Sequence, residues 1–594
     1  MREARHGPRL LSDGGVEFRL WAPAAKRVDL VIDSRRAPMK ADADGWFSRT
    51  ESHAGAGTRY QFRIDDEIDV PDPAAAFQPD DVNGPSEVID HRYPWRTESW
   101  RGRPWQECVF LELHVGTFSA EGTYRGVIDH LDHLVETGIT AIELMPLSDF
   151  PGRRNWGYDG VLPYAPDSVY GRPEDLKAMI DAAHERGLMI FLDVVYNHFG
   201  PEGNYLPRYA PAFFTRDRMT PWGGAIDYRV PEVRAFAVDN ALHWLDDYRF
   251  DGLRLDAVHA ITEVGDPPIL EEMSRAVDRL ARETGRHIHL VLENDDNAAR
   301  LLDPGGDPGA GRYRAQWNDD YHHAWHVLLT GEKAGYYGDY ADAPRRHLLR
   351  CLSSGFAYQG EPSPHRGSLP RGEDSTNLPP VAFVNFLQNH DQIGNRPFGD
   401  RLETLAPAPA IEAALAITLL LPMPPMLYMG EEWGAEQPFP FFCDFTGDLA
   451  KAVEEGRKRE FQDIFARLPP GRTLPNPMQI ETFNMAKLDW GDLRQPKHRA
   501  RLDLVRRLLT IRRQQIVPRL TGIAGRQEAA RDDGDGAVVA SWRLGDGSRL
   551  HLLANLGDRP ARLPATRRSG MPIWGTPPAA DLEPWSVFWQ IGQD

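Results

Sequence analysis

Cysteine is scarce in this chain. Cys108, Cys351 and Cys443 are its three cysteines, and no two of them stand at a spacing that a disulfide framework or a zinc site uses. That usage fits a reducing compartment. Long apolar runs are missing too: nowhere are there the roughly 18 consecutive apolar residues that a membrane-crossing helix needs. Residues 1–15 carry charges but no apolar core of the signal-peptide kind. The expectation is a cytoplasmic protein without a membrane partner. Positive charge is in deficit, with 68 Lys and Arg against 87 Asp and Glu and a formal net charge of −19. So acidic a surface repels the phosphate backbone that supplies most nucleic-acid affinity, which argues against a nucleic-acid partner. The sequence also has no Asp-x-Asp-x-Asp loop of the EF-hand type, and no cofactor motif is readable in it. No obligatory metal and no cofactor are expected.

What is present is ordinary globular material in quantity. The 594 residues are 41% hydrophobic and 26% charged, enough for several cores. Residues 15–95 alternate apolar and polar positions in short runs, Val16-Glu17-Phe18-Arg19-Leu20-Trp21 among them, broken by Ala-Pro, Asp-Gly and Gly-Ala-Gly turns. That period of two predicts a β-sandwich. A Pro- and Trp-bearing stretch follows, and from Val109 the texture changes to short apolar strands separated by amphipathic helices.

Seven strands are predicted, at 109–114, 141–146, 189–195, 252–257, 289–293, 382–387 and 425–429, with 313–317 the weakest candidate for an eighth. Helices are predicted at 126–137, 173–186, 231–248, 268–282 and 411–421, with Pro173 and Pro231 in first turns and Gly138 and Gly187 at ends. Strands alternating with helices in this number predict a (β/α)8 barrel. Alternation returns from about Arg519, in Ala537–Trp542, Leu550–Ala554 and Trp585–Trp589. The fold class is therefore α/β, a TIM barrel flanked by two β-domains: 1–95 an N-terminal β-sandwich, 96–107 a linker, 108–518 the barrel with inserted loops, and 519–594 a C-terminal β-domain. The oligomeric expectation is a monomer or small homo-oligomer.

Polar residues cluster where these strands end. In Phe250-Asp251-Gly252-Leu253-Arg254-Leu255-Asp256-Ala257-Val258-His259, Arg254 and Asp256 are two apart and share a face of the strand. A guanidinium beside a carboxylate keeps it ionised and oriented, as a nucleophile requires, although a plain buried ion pair reads equally well from this strand alone. Glu293 ends the apolar strand His289–Leu292, at the barrel mouth where active sites are built. A partly desolvated carboxyl there suits a general acid. Val384–Asp391 and Phe191–His198 end two further strands in Asn389-His390-Asp391 and in Asp193, Asn197 and His198. A cap or loop carboxylate explains any one of these clusters, but not their recurrence at strand ends. Acid plus nucleophile at a barrel mouth points to glycoside hydrolysis or transfer.

The segments Asp193–His198, Gly252–His259, Leu292–Asp295 and Phe386–Asp391 resemble the four signature regions of the α-amylase family of glycoside hydrolases. Asn155-Trp156-Gly157-Tyr158-Asp159 is similar to the loop after that family's second strand. The resemblance implies that Asp256 is the nucleophile, Glu293 the general acid/base, and Asp391 the carboxylate that grips sugar hydroxyls. It also implies that Arg254 orients Asp256, that His198, His259 and His390 bond sugar hydroxyls, and that Tyr158 stacks beneath the ring. Trp317–Ala324, the run 328–340, Met429–Gly434, and Thr482-Phe483 with Lys487–Trp490 look like the family's trehalose-releasing branch. That branch implies cleavage of the α-1,4 bond beside the terminal trehalose of maltooligosyl trehalose, with trehalose as product and no metal requirement.

Trp317, Asp319, Glu432 and Trp222 are the further substrate-binding candidates. Tyr205, Tyr209, Phe213, Phe214 and Trp222, in an insertion after the third strand, form a candidate stacking platform, the alternative being that they pack the insertion itself. Two other readings stand beside this one: a glycogen branching or debranching enzyme on the same barrel, and an inactive glycan-binding protein. Intact Asp256, Glu293 and Asp391 favour an enzyme.

Overall fold

The computed structural model describes residues 6–12, 14–220, 223–261, 265–303, 311–462, 473–526, 528–564, 570–578 and 581–593. Its centre is a closed barrel of eight parallel strands: β1 (Phe110–Leu113), β2 (Ala141–Leu144), β3 (Met189–Val194), β4 (Gly252–Leu255), β5 (His289–Leu292), β6 (Ala315–Trp317), β7 (Phe383–Phe386) and β8 (Pro425–Tyr428). Each strand pairs with the next in chain order, and β1 closes on β8 with Phe110 opposite Met426. Every strand residue is buried, which is why these runs read as apolar rather than alternating. The weakest predicted strand is real: β6 keeps three residues, paired to β5 and β7.

The surrounding helices include α1 (Leu131–Thr137), α2 (Pro173–Glu185), α3 (Pro231–Leu242), α4 (Ile269–Thr284), α5 (Asp319–Thr330), α6 (Pro344–Ser354), α7 (Ala408–Thr418) and α8 (Pro496–Ile511). Two predicted helices are interrupted. The one at 126–137 is two pieces, Tyr124–Ile128 and α1. His130 places Nδ1 2.8 Å from the carbonyl of Gly126, the acceptor its own N–H would use in a continuous helix, and that N–H bonds Val127 instead. The one at 231–248 is α3 followed by a π-helical turn, His243–Asp247.

Ahead of the barrel lie two antiparallel sheets whose facing side chains, Phe18, Leu20, Tyr60 and Phe62 among them, are buried. They dock on the barrel's insertion: Trp21 packs on Phe213 with ring centres 5.7 Å apart, and the amide of Ala24 donates to Tyr209 O at 3.0 Å. Tyr209 and Phe213 are therefore only 1% and 2% exposed and serve as core, not as an open platform for sugar rings. Trp222 lies outside the described residues. After the barrel comes a five-stranded antiparallel sheet, anchored by two tryptophans that bury their rings and hand their N–H outward to helix carbonyls: Trp542 to Leu352 on α6 at 2.9 Å, Trp589 to Ala416 on α7 at 3.1 Å. The three cysteines are buried and unpaired. Among the described residues no helix is long and apolar enough to cross a membrane.

Candidate active site

The register of the barrel sets the site. Asp193 at the top of β3 lies opposite Arg254 on β4, and Asp256 follows two residues later on the same face. Arg254 is 2% exposed and serves three carboxyls at once. Its Nη1 reaches Asp193 Oδ2 at 2.6 Å and Asp256 Oδ1 at 3.0 Å, and its Nη2 reaches Glu293 Oε2 at 2.8 Å. Below, the guanidinium carbon lies 4.1 Å from the centre of the Trp317 ring. One buried cation thus holds Asp256 and Glu293 side by side across the mouth.

The chain turns sharply after Asp256. Ala257 sits at φ +42°, the left-handed region a residue with a Cβ avoids, and this aims its N–H at Glu293 Oε2, 2.8 Å away. Asn197 Nδ2 donates to Asp256 Oδ2 at 2.7 Å. Burial pushes the Asp256 carboxyl up, but Arg254, His198 and the Asn197 hydrogen bond outweigh it and hold the group below its usual range. Glu293 goes the other way: burial, reinforced by Asp256, Asp319 and Asp391, overcomes Arg254 and carries it well above the carboxylate range. Two carboxyls on one guanidinium are thereby pushed in opposite directions, which is how acid and base roles are separated at one pH.

Around this pair stand the other candidates. Asp391, in the first turn of a short helix capped by Asn389, accepts from Asn395 Nδ2 at 2.6 Å, and burial pushes its carboxyl up against the pull of His390 and Arg254. Burial, with Asp295 and Asp391 adding to it, pushes Asp319 up to about 7; Gln392 Nε2 lies 3.3 Å from it. Tyr158 stacks on His390 with ring centres 5.1 Å apart and donates its hydroxyl to Asp193 Oδ2 at 2.6 Å. Its loop turns at Gly157, φ +104°, where a Cβ would lie 2.1 Å from Pro146 O. His198 Nε2 is 2.8 Å from the carbonyl of Tyr158, and His259 Nδ1 accepts from the Asp295 amide at 3.2 Å.

Two candidates are not brought into the mouth. Trp317 is 1% exposed beneath Arg254, with the His390 ring 6.2 Å away between centres. Glu432 is 0% exposed and pairs with His133 Nε2 at 3.2 Å, on the outer side of β8 toward α1.

The sequence reading passed over two glutamates in the barrel wall. Glu112 on β1 takes the His390 Nδ1 proton in a short hydrogen bond and the His390 amide at 3.1 Å. Burial depresses the imidazole, but Glu112 more than compensates and raises it. Glu143 lies in register beside Glu112 on β2, with both oxygens buried and unpartnered among the described groups, and burial pushes it well above the carboxylate range. The available signal was a glutamate inside each of two otherwise apolar runs, Phe-Leu-Glu-Leu and Ala-Ile-Glu-Leu. Asn197 gives its amide nitrogen to both the carbonyl and the carboxyl of Asp256, at 3.0 and 2.7 Å.

Comparison with known proteins gives the family. The alpha amylase catalytic-domain family matches residues 76–215, carbohydrate-binding module 48 (isoamylase N-terminal domain) matches 5–75, and a domain of unknown function matches 525–589. A malto-oligosyltrehalose trehalohydrolase of Deinococcus radiodurans is 41% identical over 93% of this chain and 91% of its own length. One from Saccharolobus solfataricus is 39% identical over 81% of this chain and 83% of its own. A crystal structure from Salmonella typhimurium, provisionally called an alpha amylase, superposes with a TM-score of 0.94 at 45% identity, covering 99% of this chain and 100% of that one. A 1,4-alpha-glucan branching enzyme of Corynebacterium jeikeium is 32% identical but covers 41% of this chain and 38% of its own length.

Proposed function

Because the chain belongs to the malto-oligosyltrehalose trehalohydrolases of the α-amylase family, we propose that Asp256, Glu293 and Asp391 carry out the family's hydrolysis here, releasing trehalose from maltooligosyl trehalose. The observation that supports the assignment most is the single Arg254 guanidinium bonded to both Asp256 and Glu293. It holds the two carboxyls close, as the ~5–5.5 Å spacing of a retaining glycosidase requires.

In the first half-reaction the Asp256 carboxylate attacks the anomeric carbon while Glu293 gives its proton to the glycosidic oxygen, and trehalose departs. In the second, Glu293, now ionised, takes a proton from water, which displaces Asp256 from the glycosyl-enzyme. Asp391 and the Glu112-braced His390 imidazolium bind hydroxyls of the sugar at the cleavage point, and Tyr158 stacks on its ring. His198 and His259 orient this shell, Asp319 lies on its far side, and Trp317 acts through Arg254 rather than on the sugar.

The division into 1–95, 96–107, 108–518 and 519–594, a cytoplasmic setting, and a monomer or small homo-oligomer complete the reading. Incubation with maltotriosyl trehalose, and separately with maltopentaose and amylose, tests it. Trehalose plus maltotriose from the first, with maltopentaose cut far more slowly, is the expected result. New α-1,6 branches in amylose, or equal cutting of both oligosaccharides, would discard the trehalose specificity in favour of a branching or debranching activity.

A further inference from the structure

The π-helical turn that ends α3, His243–Asp247, lies away from the barrel mouth, against the connector that follows the first β-domain. Such turns cost hydrogen-bond geometry and recur where a function requires the side chains they present. Here the turn sets His243 Nδ1 2.8 Å from Asp247 Oδ2. The other ring nitrogen, Nε2, is 3.0 Å from the carbonyl oxygen of Tyr164, which only accepts. Nε2 must therefore carry a hydrogen, so that Nδ1 of a neutral ring turns a lone pair toward a carboxylate oxygen. Two electron-rich atoms at that distance need a shared cation between them, a proton or a metal.

A third donor faces the same point. His91, in the connector, packs edge-on to His243 with ring centres 5.1 Å apart and an interplanar angle of 88°. Its Nδ1 is buried with no hydrogen-bond partner. Ligand atoms of His91, His243 and Asp247 all lie within 4.8 Å of one another.

We propose that His91, His243 and Asp247 form a site for a divalent transition metal of the zinc, cobalt or nickel class, joining the connector to the end of α3. Two imidazoles and a carboxylate are the donor set those ions favour over calcium or magnesium, and a separation near 3 Å between His243 and Asp247 suits adjacent ligands on one ion. Lys177 is the opposing charge: its ammonium bonds the His91 carbonyl at 2.6 Å, and burial lowers it to about 8. That neighbour weakens the binding of a cation here. The site is separate from Asp256, Glu293 and Asp391, so the ion braces a joint and takes no part in hydrolysis.

The full chain, stripped with a chelator and dialysed, is titrated calorimetrically with zinc chloride and, in parallel, with cobalt chloride followed by visible absorption. One ion per chain is expected, with a cobalt spectrum of nitrogen ligation and a rise in Tm with metal concentration. His91→Gln, at a half-buried connector position, and Asp247→Asn should each weaken binding at least ~10-fold while leaving trehalose release by the metal-free chain unchanged. Absence of one-to-one binding, or equal binding by wild type and both variants, would overturn the site: the cation between His243 and Asp247 would then be a proton alone, and any bound metal would lie elsewhere.

Discussion

Replacing Arg254 with Met removes the one cation shared by Asp193, Asp256 and Glu293 while keeping a side chain of similar length over Trp317. Burial by itself pushes the Asp256 carboxyl up, and Arg254 is first among the groups that bring it below its usual range. An opposite charge at this distance is worth ~1–3 pKa units, and each unit is about 1.4 kcal/mol. The sign follows directly. The ionised form is the active one, its depressed pKa keeps it ionised into acid, and without Arg254 the desolvation that remains moves the pKa above the usual ~3.9. The acid limb of kcat/KM for maltotriosyl trehalose should therefore move up by ~1–3 pH units, a roughly 10- to 1000-fold loss at a fixed acidic pH. The stability that a depressed carboxylate contributes above its unfolded pKa disappears in the same variant. Trehalose release followed chromatographically between acid and neutral pH measures the limb, and Arg254→Lys, which restores charge but not the fork, should recover part of the shift. An Arg254→Met enzyme whose acid limb stays where it is in wild type would refute the claim that this guanidinium sets the nucleophile's ionisation.

Glu293→Gln should abolish trehalose release while substrate binding stays within about tenfold, because the amide keeps the shape without a transferable proton; calorimetric titration against product analysis separates the two, and near-normal turnover would remove Glu293 from the acid role. Asp319→Asn takes away one of the carboxyls that raise Glu293, so the alkaline limb, which marks loss of the Glu293 proton, should move to lower pH; a limb that stays put or moves higher contradicts the coupling. Gly157→Ala places a Cβ 2.1 Å from Pro146 O at a φ of +104°, so the loop bearing Tyr158 must shift; KM should rise with a stability loss of about 1 kcal/mol or more, and unchanged KM together with unchanged Tm would show that the loop accommodates the methyl.

The strands of the barrel were readable because a strand buried on both faces, as β1 to β8 are, reads as a largely apolar run. The three-residue β6 was faint for the opposite reason: Ala315–Trp317 is too short to show any period. The helix breaks depended on contacts no period reports, such as His130 capturing the Gly126 carbonyl. Asp256, Glu293 and Asp391 stood out as candidates because they recur at strand ends, which fix where a side chain begins; their separate roles came from the family resemblance. Strand ends do not fix where the side chain goes. Glu432 leaves its strand end toward His133, and Trp317 turns down under Arg254, because each has a partner that is distant in sequence. The aromatic insertion failed in the same way: Tyr209 and Phe213 were taken up by a β-domain whose docking face the sequence could not reveal.

Glu112 and Glu143 show what the motif view leaves out. In the barrel mouth and the layer beneath it, Glu112, Glu143, Asp193, Asp256, Glu293, Asp319 and Asp391 stand around few cations, Arg254, the raised His390 and, acting on Asp319, Arg371. So many carboxyls around so few positive charges in a buried space cannot all be ionised. Burial leaves Glu143 and Glu293 far above the usual range and Asp319 near 7, while the carboxyl with the strongest set of compensating partners, Asp256, stays below it. The surplus of acids is thus part of how Asp256 and Glu293 diverge, since Asp256, Asp319 and Asp391 each raise Glu293 further. The arrangement costs stability near neutral pH, where an unfolded Glu143 would ionise at its ordinary ~4.3 but the folded one, with both oxygens unpartnered, stays protonated. Its charged neighbours are Glu112 and Asp193, which push it further up, and Arg254, which pulls it down.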